Sequence, residues 1–174
     1  MAYLKKLRHL AKENKYSELE QFCKSKLQFS PGDPDLMFYY AVALEEQGEY
    51  AKARNVFEKL YRITHDWLFR ICEAIPEYMQ GNSKTAKKIL KKATEKENKS
   101  AANLFFAFRI AVNANDAEAA KEALWKAFAI DPEKTLGRLR EFFEKTKEKR
   151  PERRKLFVAL LGLLSDMRKE IGEG

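Results

Sequence analysis

The chain has 174 residues, 45% of them hydrophobic, and carries a formal net charge of +8. That apolar fraction excludes an intrinsically disordered chain, and the length suffices to bury a sizeable core as one domain or one short repeat array. With only 7 Gly and 5 Pro, abundant Ala, Glu, Lys and Leu, and no β-branched alternation, the composition points to helix rather than sheet.

In chain order, the first predicted helix covers 2–13 and stops at Asn14, a residue type that tolerates the left-handed backbone of a helix-closing turn. A second helix follows at 16–29, with Leu19, Cys23 and Lys26 at offsets 5, 9 and 12 from the turn. Asp33-Pro34 reads as a helix start, an Asp cap followed by Pro at the first helical position. The helix it opens covers 34–47 and stops at Gly48. "QGEYAKARNVFEKL" then gives a helix over 50–63, with Ala53, Phe57 and Leu60 at the same three offsets. Asp66 caps a helix over 67–80, which Pro76 should kink by removing one hydrogen bond. "QGNSKTAKKILKKA" repeats the pattern: Gly81, then a helix over 83–97 with Ala86, Leu90 and Ala93. Ser100 caps 101–113, Asn115 makes the next turn, and 116–130 carries Ala120, Leu124 and Ala127. Asp131-Pro132 opens 132–147, and a last helix is expected at 151–170. Spacings of three and four put each apolar triad on one helix face.

The turn residues Asn14, Gly48, Gly81 and Asn115 recur at intervals of 33 to 34 residues. A hairpin of two such helices cannot bury its apolar face alone, so neighbours must stack. The period, the small-to-aromatic spacing of Ala53 and Phe57, and "AIDP" at 129–132 resemble tetratricopeptide repeats. The resemblance covers 1–132 well and 132–170 as a degenerate hairpin. It implies one all-α domain over 1–174, a right-handed αα-superhelix. Its repeats would be 1–32, 33–65, 66–99 and 100–132, with a capping hairpin at 132–171. Met37, Arg70 and Leu104 stand where that family usually has an early aromatic. Ala41 and Ala74 keep the small residue four positions on, but Phe108 replaces it in the fourth repeat, a bulk expected to open the packing locally.

Catalytic chemistry finds little to work with. His9 and His65 have no second ligand at metal spacing, and His65 reads as a loop residue rather than a base. There is no glycine-rich phosphate loop. Cys23 and Cys72 fall on helical core positions, with no His to activate them. We therefore expect no enzyme activity, no cofactor and no metal. Two cysteines without a CxxC pattern fit a reducing, cytoplasmic setting. The opening "MAYLKKLRHLAKENK" lacks a signal-peptide core, and "LFVALLGLL" at 156–164 is too short to span a membrane. Joint enrichment in Lys and Glu is also a mark of hyperthermophile proteins.

The resemblance implies a scaffold or adaptor that binds a peptide or helix of a partner protein along the inner faces of the first helices of its repeats. By position that groove takes Asp35, Phe38, Tyr39, Val42 and Glu45 from the second repeat. Leu68, Ile71, Cys72 and Ile75 come from the third, and Phe105, Phe106, Arg109 and Asn113 from the fourth. Phe105, Phe106 and Phe108 point around their helix, so at least one of them must be core. Lys5, Arg8 and Lys12 match the positions with which the family clamps a terminal carboxylate, but the later repeats are apolar there and no full clamp is expected. Lys84, Lys87, Lys88, Lys91 and Lys92 make one basic helix face opposite Ala86, Ile89, Leu90 and Ala93. Without interleaved aromatics or Arg, a solvated face is the plainer reading; polyanion or nucleic-acid binding, aided by the basic 138–155 segment, is the alternative. Residues 132–155 carry ten Lys or Arg against five Glu, whereas 33–50 carries five acids and no base. Finally, "LFVALLGLL" is apolar all round, which suggests self-association centred on Leu156, Phe157, Leu160, Leu161 and Leu164.

Overall fold

A computed structural model describes residues 2–95, 100–146, 162, 163, 165, 166 and 169. The described residues contain ten helices and no strand. Helices α1 (Ala2–Lys12) and α2 (Tyr16–Leu27) form the first hairpin, α3 (Pro34–Glu46) and α4 (Tyr50–Thr64) the second. Helices α5 (Trp67–Cys72), α6 (Ala74–Met79) and α7 (Ser83–Thr94) make up the third hairpin, α8 (Ala101–Asn113) and α9 (Ala117–Ile130) the fourth. Helix α10 (Pro132–Thr146) follows. The chain divides into two compact units, Met1–Ile89 and Leu90–Gly174.

The turns follow the expected chemistry. Asn14, Gly48, Gly81 and Asn115 all have positive φ, at 55°, 79°, 77° and 56°. Each closes its helix with the same hydrogen bond, donated by the next residue's N–H to a carbonyl five residues back: Lys15 to Leu10, Glu49 to Leu44, Asn82 to Glu77 and Asp116 to Ala111, all 2.8–2.9 Å. That bond is the signature of a left-handed helix cap. His65 is a fifth such position, with φ 53°. It closes α4 by donating its N–H to the Tyr61 carbonyl, and its ring stands edge-on to that of Tyr61. At the helix starts, Asp33 accepts from the N–H of Leu36, Asp66 from Leu68, Ser100 from Asn103 and Asp131 from Lys134.

Pro76 divides the expected single helix over 67–80 into α5 and α6, which meet at Glu73. A proline ring has no N–H to offer the Cys72 carbonyl, so the helical ladder is interrupted there.

In the first unit each helix from α1 to α6 packs on the next, and α4 lies against both α5 and α6. Its core takes Leu7, Leu10, Leu19 and Cys23 from the first hairpin, together with Leu36, Met37 and Ala41. The triad Ala53, Phe57 and Leu60 is fully enclosed. Each large apolar side chain so buried contributes about 1.5–3 kcal/mol relative to exposure. Lys26, the odd member of the first triad, is exposed. In the second unit α8 packs on α9, and α10 touches both. Ala120, Leu124, Ala127, Leu104 and Leu139 are buried there. Phe108 does not open this packing. It is fully buried, with its ring 5.1 Å from that of Phe105 and edge-on to Phe142 at 5.4 Å, so aromatic contact fills the space its bulk demands.

The hairpin's second helix expected at 151–170 lies almost wholly outside the described residues. So do all five residues named for self-association, Leu156, Phe157, Leu160, Leu161 and Leu164, and the basic segment beyond 146.

Candidate functional site

The inward face expected of the first unit comes from α3, α5 and α6. On α3, Phe38, Tyr39, Val42 and Glu45 are all half-buried, while Asp35 and Glu46 are exposed. Phe38 is held by aromatic neighbours: the rings of Tyr39, Phe57 and Phe69 lie 5.6, 6.3 and 6.1 Å away. The contact with Phe69 puts α5 beside α3. From α5 and α6, Leu68 and Ile75 are half-buried. Ile71 is a correction to the expected lining: it is 0% exposed and belongs to the core, where no ligand reaches it. Cys72 is buried too. Met79, which the sequence reading passed over, is 60% exposed at the end of α6.

Glu45 has the most unusual environment on this face. Burial, with the negative charge of Glu46 added, pushes its carboxyl up to about 7. Desolvation disfavours the charged form, and a like charge does the same. Neither an ion pair nor a hydrogen bond to its carboxylate offsets this among the described residues. Three other acids nearby are partnered, while Glu46 and Asp35 are exposed to water. Glu20 has Lys24 and Gln47, Glu49 has Lys52, and Asp33 accepts from the Tyr3 hydroxyl at 2.7 Å. The Cys72 thiol lies within the field of Glu45 and is pushed up by burial and by that charge.

Behind this face lies a charged cluster that the sequence reading missed. Glu73 and Glu77 are 1% and 4% exposed. Arg70 donates to Glu73 at 2.6 Å and Arg54 to Glu77 at 2.9 Å. Asn82 adds a bond to the other oxygen of Glu77. Arg54, half-buried on α4, turns its guanidinium to α6. One oxygen of Glu73 and the Nε of Arg54 remain buried without a partner, and burial raises the Glu73 carboxyl despite Arg70.

In the second unit α8 offers a mixed face. Phe105 is a second correction: it is 6% exposed and, like Phe108, belongs to the core. Phe106 is half-buried, and Arg109 and Asn113 are exposed. In α1, Lys5, Arg8 and Lys12 are exposed.

On α7, Lys84, Lys87, Lys88, Lys91 and Lys92 are all exposed, while Ala86, Ile89, Leu90 and Ala93 are buried. Elsewhere lysines sit on acids three or four residues away, as with Lys52 and Glu49, Lys126 and Glu122, and Lys134 and Asp131. Helix α7 contains no acid, and Lys84 and Lys88 have no acid within four residues on either side.

Neither thiol is poised for chemistry. Burial lifts Cys23 to about 12 and Cys72 higher, which leaves almost no thiolate at neutral pH. His9 and His65 are exposed. Among the described residues no three His, Cys, Asp or Glu side chains gather as metal ligands, and no helix is long and apolar enough to cross a membrane.

No known protein family matches the chain in sequence, and no curated protein matches it. Among solved structures, it is similar to "MamA RS-1 ArsTM double mutant", with a TM-score of 0.54 and 17% identity over 99% of this chain and 96% of that one. It is equally similar to "MamA 41-end from Desulfovibrio magneticus RS-1", at a TM-score of 0.54 and 16% identity over 97% of this chain and 94% of that one. At such identities the likeness is one of fold. The chain is an all-α helical-repeat protein with a TPR-like solenoid fold.

Proposed function

We propose that the chain is a non-catalytic interaction scaffold that holds a segment of a partner protein on the face formed by α3, α5 and α6. The observation that carries this reading is the state of α3. Phe38, Val42 and Glu45, at helical spacing, keep part of their surface open on a helix whose other side is fully packed. A partly open apolar row at this spacing is the form in which helical grooves take an amphipathic or extended segment. The likeness of fold to MamA supports a repeat scaffold and speaks to no particular partner. Phe106, Arg109 and Asn113 on α8 are a further candidate surface, since aromatics and Arg dominate binding hot spots.

Peptides selected from a random display library on the whole chain test the proposal. They should lose about tenfold or more in affinity on Val42→Asp and none on Lys88→Gln. A selection that yields no peptide sensitive to Val42→Asp, in a variant that still melts cooperatively, overturns it.

The exposed lysine row of α7 favours a second reading, contact with a polyanion through Lys84, Lys87, Lys88, Lys91 and Lys92. Such a complex weakens steeply with salt, whereas an apolar groove complex barely changes.

A further inference from the structure

Among the described residues, buried or half-buried carboxylates are partnered, with one exception on the proposed docking face. Glu73 has Arg70, Glu77 has Arg54 and Asn82, and Glu20 has Lys24 and Gln47. Glu45 is half-buried and has neither a cation nor a hydrogen-bond donor among the described residues. Its charged surroundings are negative. Glu46 follows it on α3, and across on α5 the Cys72 thiol feels Glu45, Asp66 and Glu73 together. The exposed bases of α1, Lys5, Arg8 and Lys12, form no ion pair with it. No Lys or Arg occurs between residues 33 and 50.

A charge removed from water without a partner costs stability in the free protein. An incoming cation would find the desolvation already accomplished on one side, and the pair would form against apolar walls where its attraction is strong. The chemistry that fits is a Lys ammonium or Arg guanidinium on an otherwise apolar segment.

We propose that Glu45 anchors a Lys or Arg side chain of the partner, while apolar residues on either side of that cation lie on Phe38, Val42 and Ile75. This rests on the docking face proposed above and specifies what docks there. The spacing on α3 sets the register. Phe38, Val42 and Glu45 lie at i, i+4 and i+7, so the cation falls near the C-terminal end of the helix, about two turns from Phe38. The C-terminal end of α3 carries partial negative charge of its own, which favours a cation at that end. An acidic or phosphorylated segment would meet Glu45, Glu46 and Asp35 and be repelled.

The test uses the full chain and a phage-displayed library of random peptides of roughly 16 residues, long enough for four helical turns. Wild type, Glu45→Gln and Val42→Asp are panned in parallel. Peptides that bind wild type and fail on Val42→Asp should carry a Lys or Arg. Replacing that residue by Gln should weaken binding to wild type about tenfold and leave binding to Glu45→Gln unchanged. Glu45→Gln is nearly isosteric and should melt at or above the wild-type temperature, which excludes misfolding as the cause of a lost preference. Val42-dependent peptides with no basic residue, or with one whose replacement weakens both proteins equally, overturn the cation anchor and leave the docking face standing. A wild-type selection in which no peptide depends on Val42 takes down the docking face and the anchor with it.

Discussion

Arg54 on α4 donates from Nη1 to Oε1 of Glu77 on α6 at 2.9 Å, and the two ends of that bond differ sharply in exposure: the Arg54 side chain is 41% exposed and that of Glu77 5%. This asymmetry decides what each deletion does. Arg54→Met leaves Glu77 buried with only the Asn82 amide and removes a positive charge that also relieves Glu73, so we expect a loss of about 2–4 kcal/mol. Glu77→Gln frees Arg54 to turn into water and should cost only about 1 kcal/mol. Urea denaturation of the two single variants reads the difference directly. Equal losses would mean that burial does not govern the pair.

The left-handed turns are a separable contribution. Gly48 has φ 79°, and a Cβ placed there would meet no atom within 4 Å. Gly48→Ala therefore pays only the backbone cost of an L-residue in that region, about 1–2 kcal/mol. Asn, already used at positions 14 and 115, should cost less than Ala. Gly32 also has open space around its Cβ position but no positive φ, so Gly32→Ala should be neutral or slightly stabilising. Melting temperatures in the order Gly32→Ala, Gly48→Asn, Gly48→Ala, highest first, are the expected outcome; a Gly32→Ala as costly as Gly48→Ala would contradict it.

Turns and caps were legible because each depends on one residue type at one place. Asn14, Gly48, Gly81 and Asn115 announce a left-handed backbone, and Asp33, Asp66, Ser100 and Asp131 announce a helix start. The apolar triads were legible for the same reason: a fixed period puts them on one face. Arg54 and Glu77 were not, because their pairing depends on how α4 and α6 lie across the Pro76 break, which no local pattern states. Ile71 and Phe105 were misplaced for a related reason. Repeat position put them on the inward face, but the same position is buried at Ile71 and Phe105 and half-open at Phe38. Glu45 had been given a place on the face, yet its lack of a partner is a property of everything around it.

Glu45 should make stability depend on pH in a characteristic direction. Its folded value near 7 lies above the ordinary 4.5 of the unfolded chain. Between those values the unfolded chain binds fewer protons than the folded one, so this contribution falls as pH rises from about 4.5 to about 7 and stays lost above. Glu45→Gln should therefore stabilise the protein at about pH 8 by about 1–2 kcal/mol, less than the whole shift would give because the carboxylate keeps some contact with water. At about pH 5 the two proteins should be nearly equal, since Glu45 is then protonated in the folded state. Paired thermal melts at the two pH values measure this. Carboxylates held low, such as Glu20 and Asp131, act alike in both proteins and cancel in the difference. A gap of the same size at both pH values would place its origin elsewhere.

The three phenylalanines of α8 separate core from surface within one helical turn. Phe108 is fully buried, and its ring touches those of Phe105 and Phe142, so Phe108→Ala opens a cavity and should cost about 3–5 kcal/mol. Phe105, 6% exposed, should follow it at about 2–4 kcal/mol. Phe106 is half-buried and has water as an alternative environment, so Phe106→Ala should cost no more than about 1.5 kcal/mol. Chemical denaturation of the three variants gives the ranking. If α8 presents a docking surface, Phe106→Ala is also the variant whose effect shows in peptide binding more than in stability, because its open side is the part of the ring that a partner can reach. A Phe106→Ala as destabilising as Phe108→Ala would assign that ring to the core and remove it from any such surface.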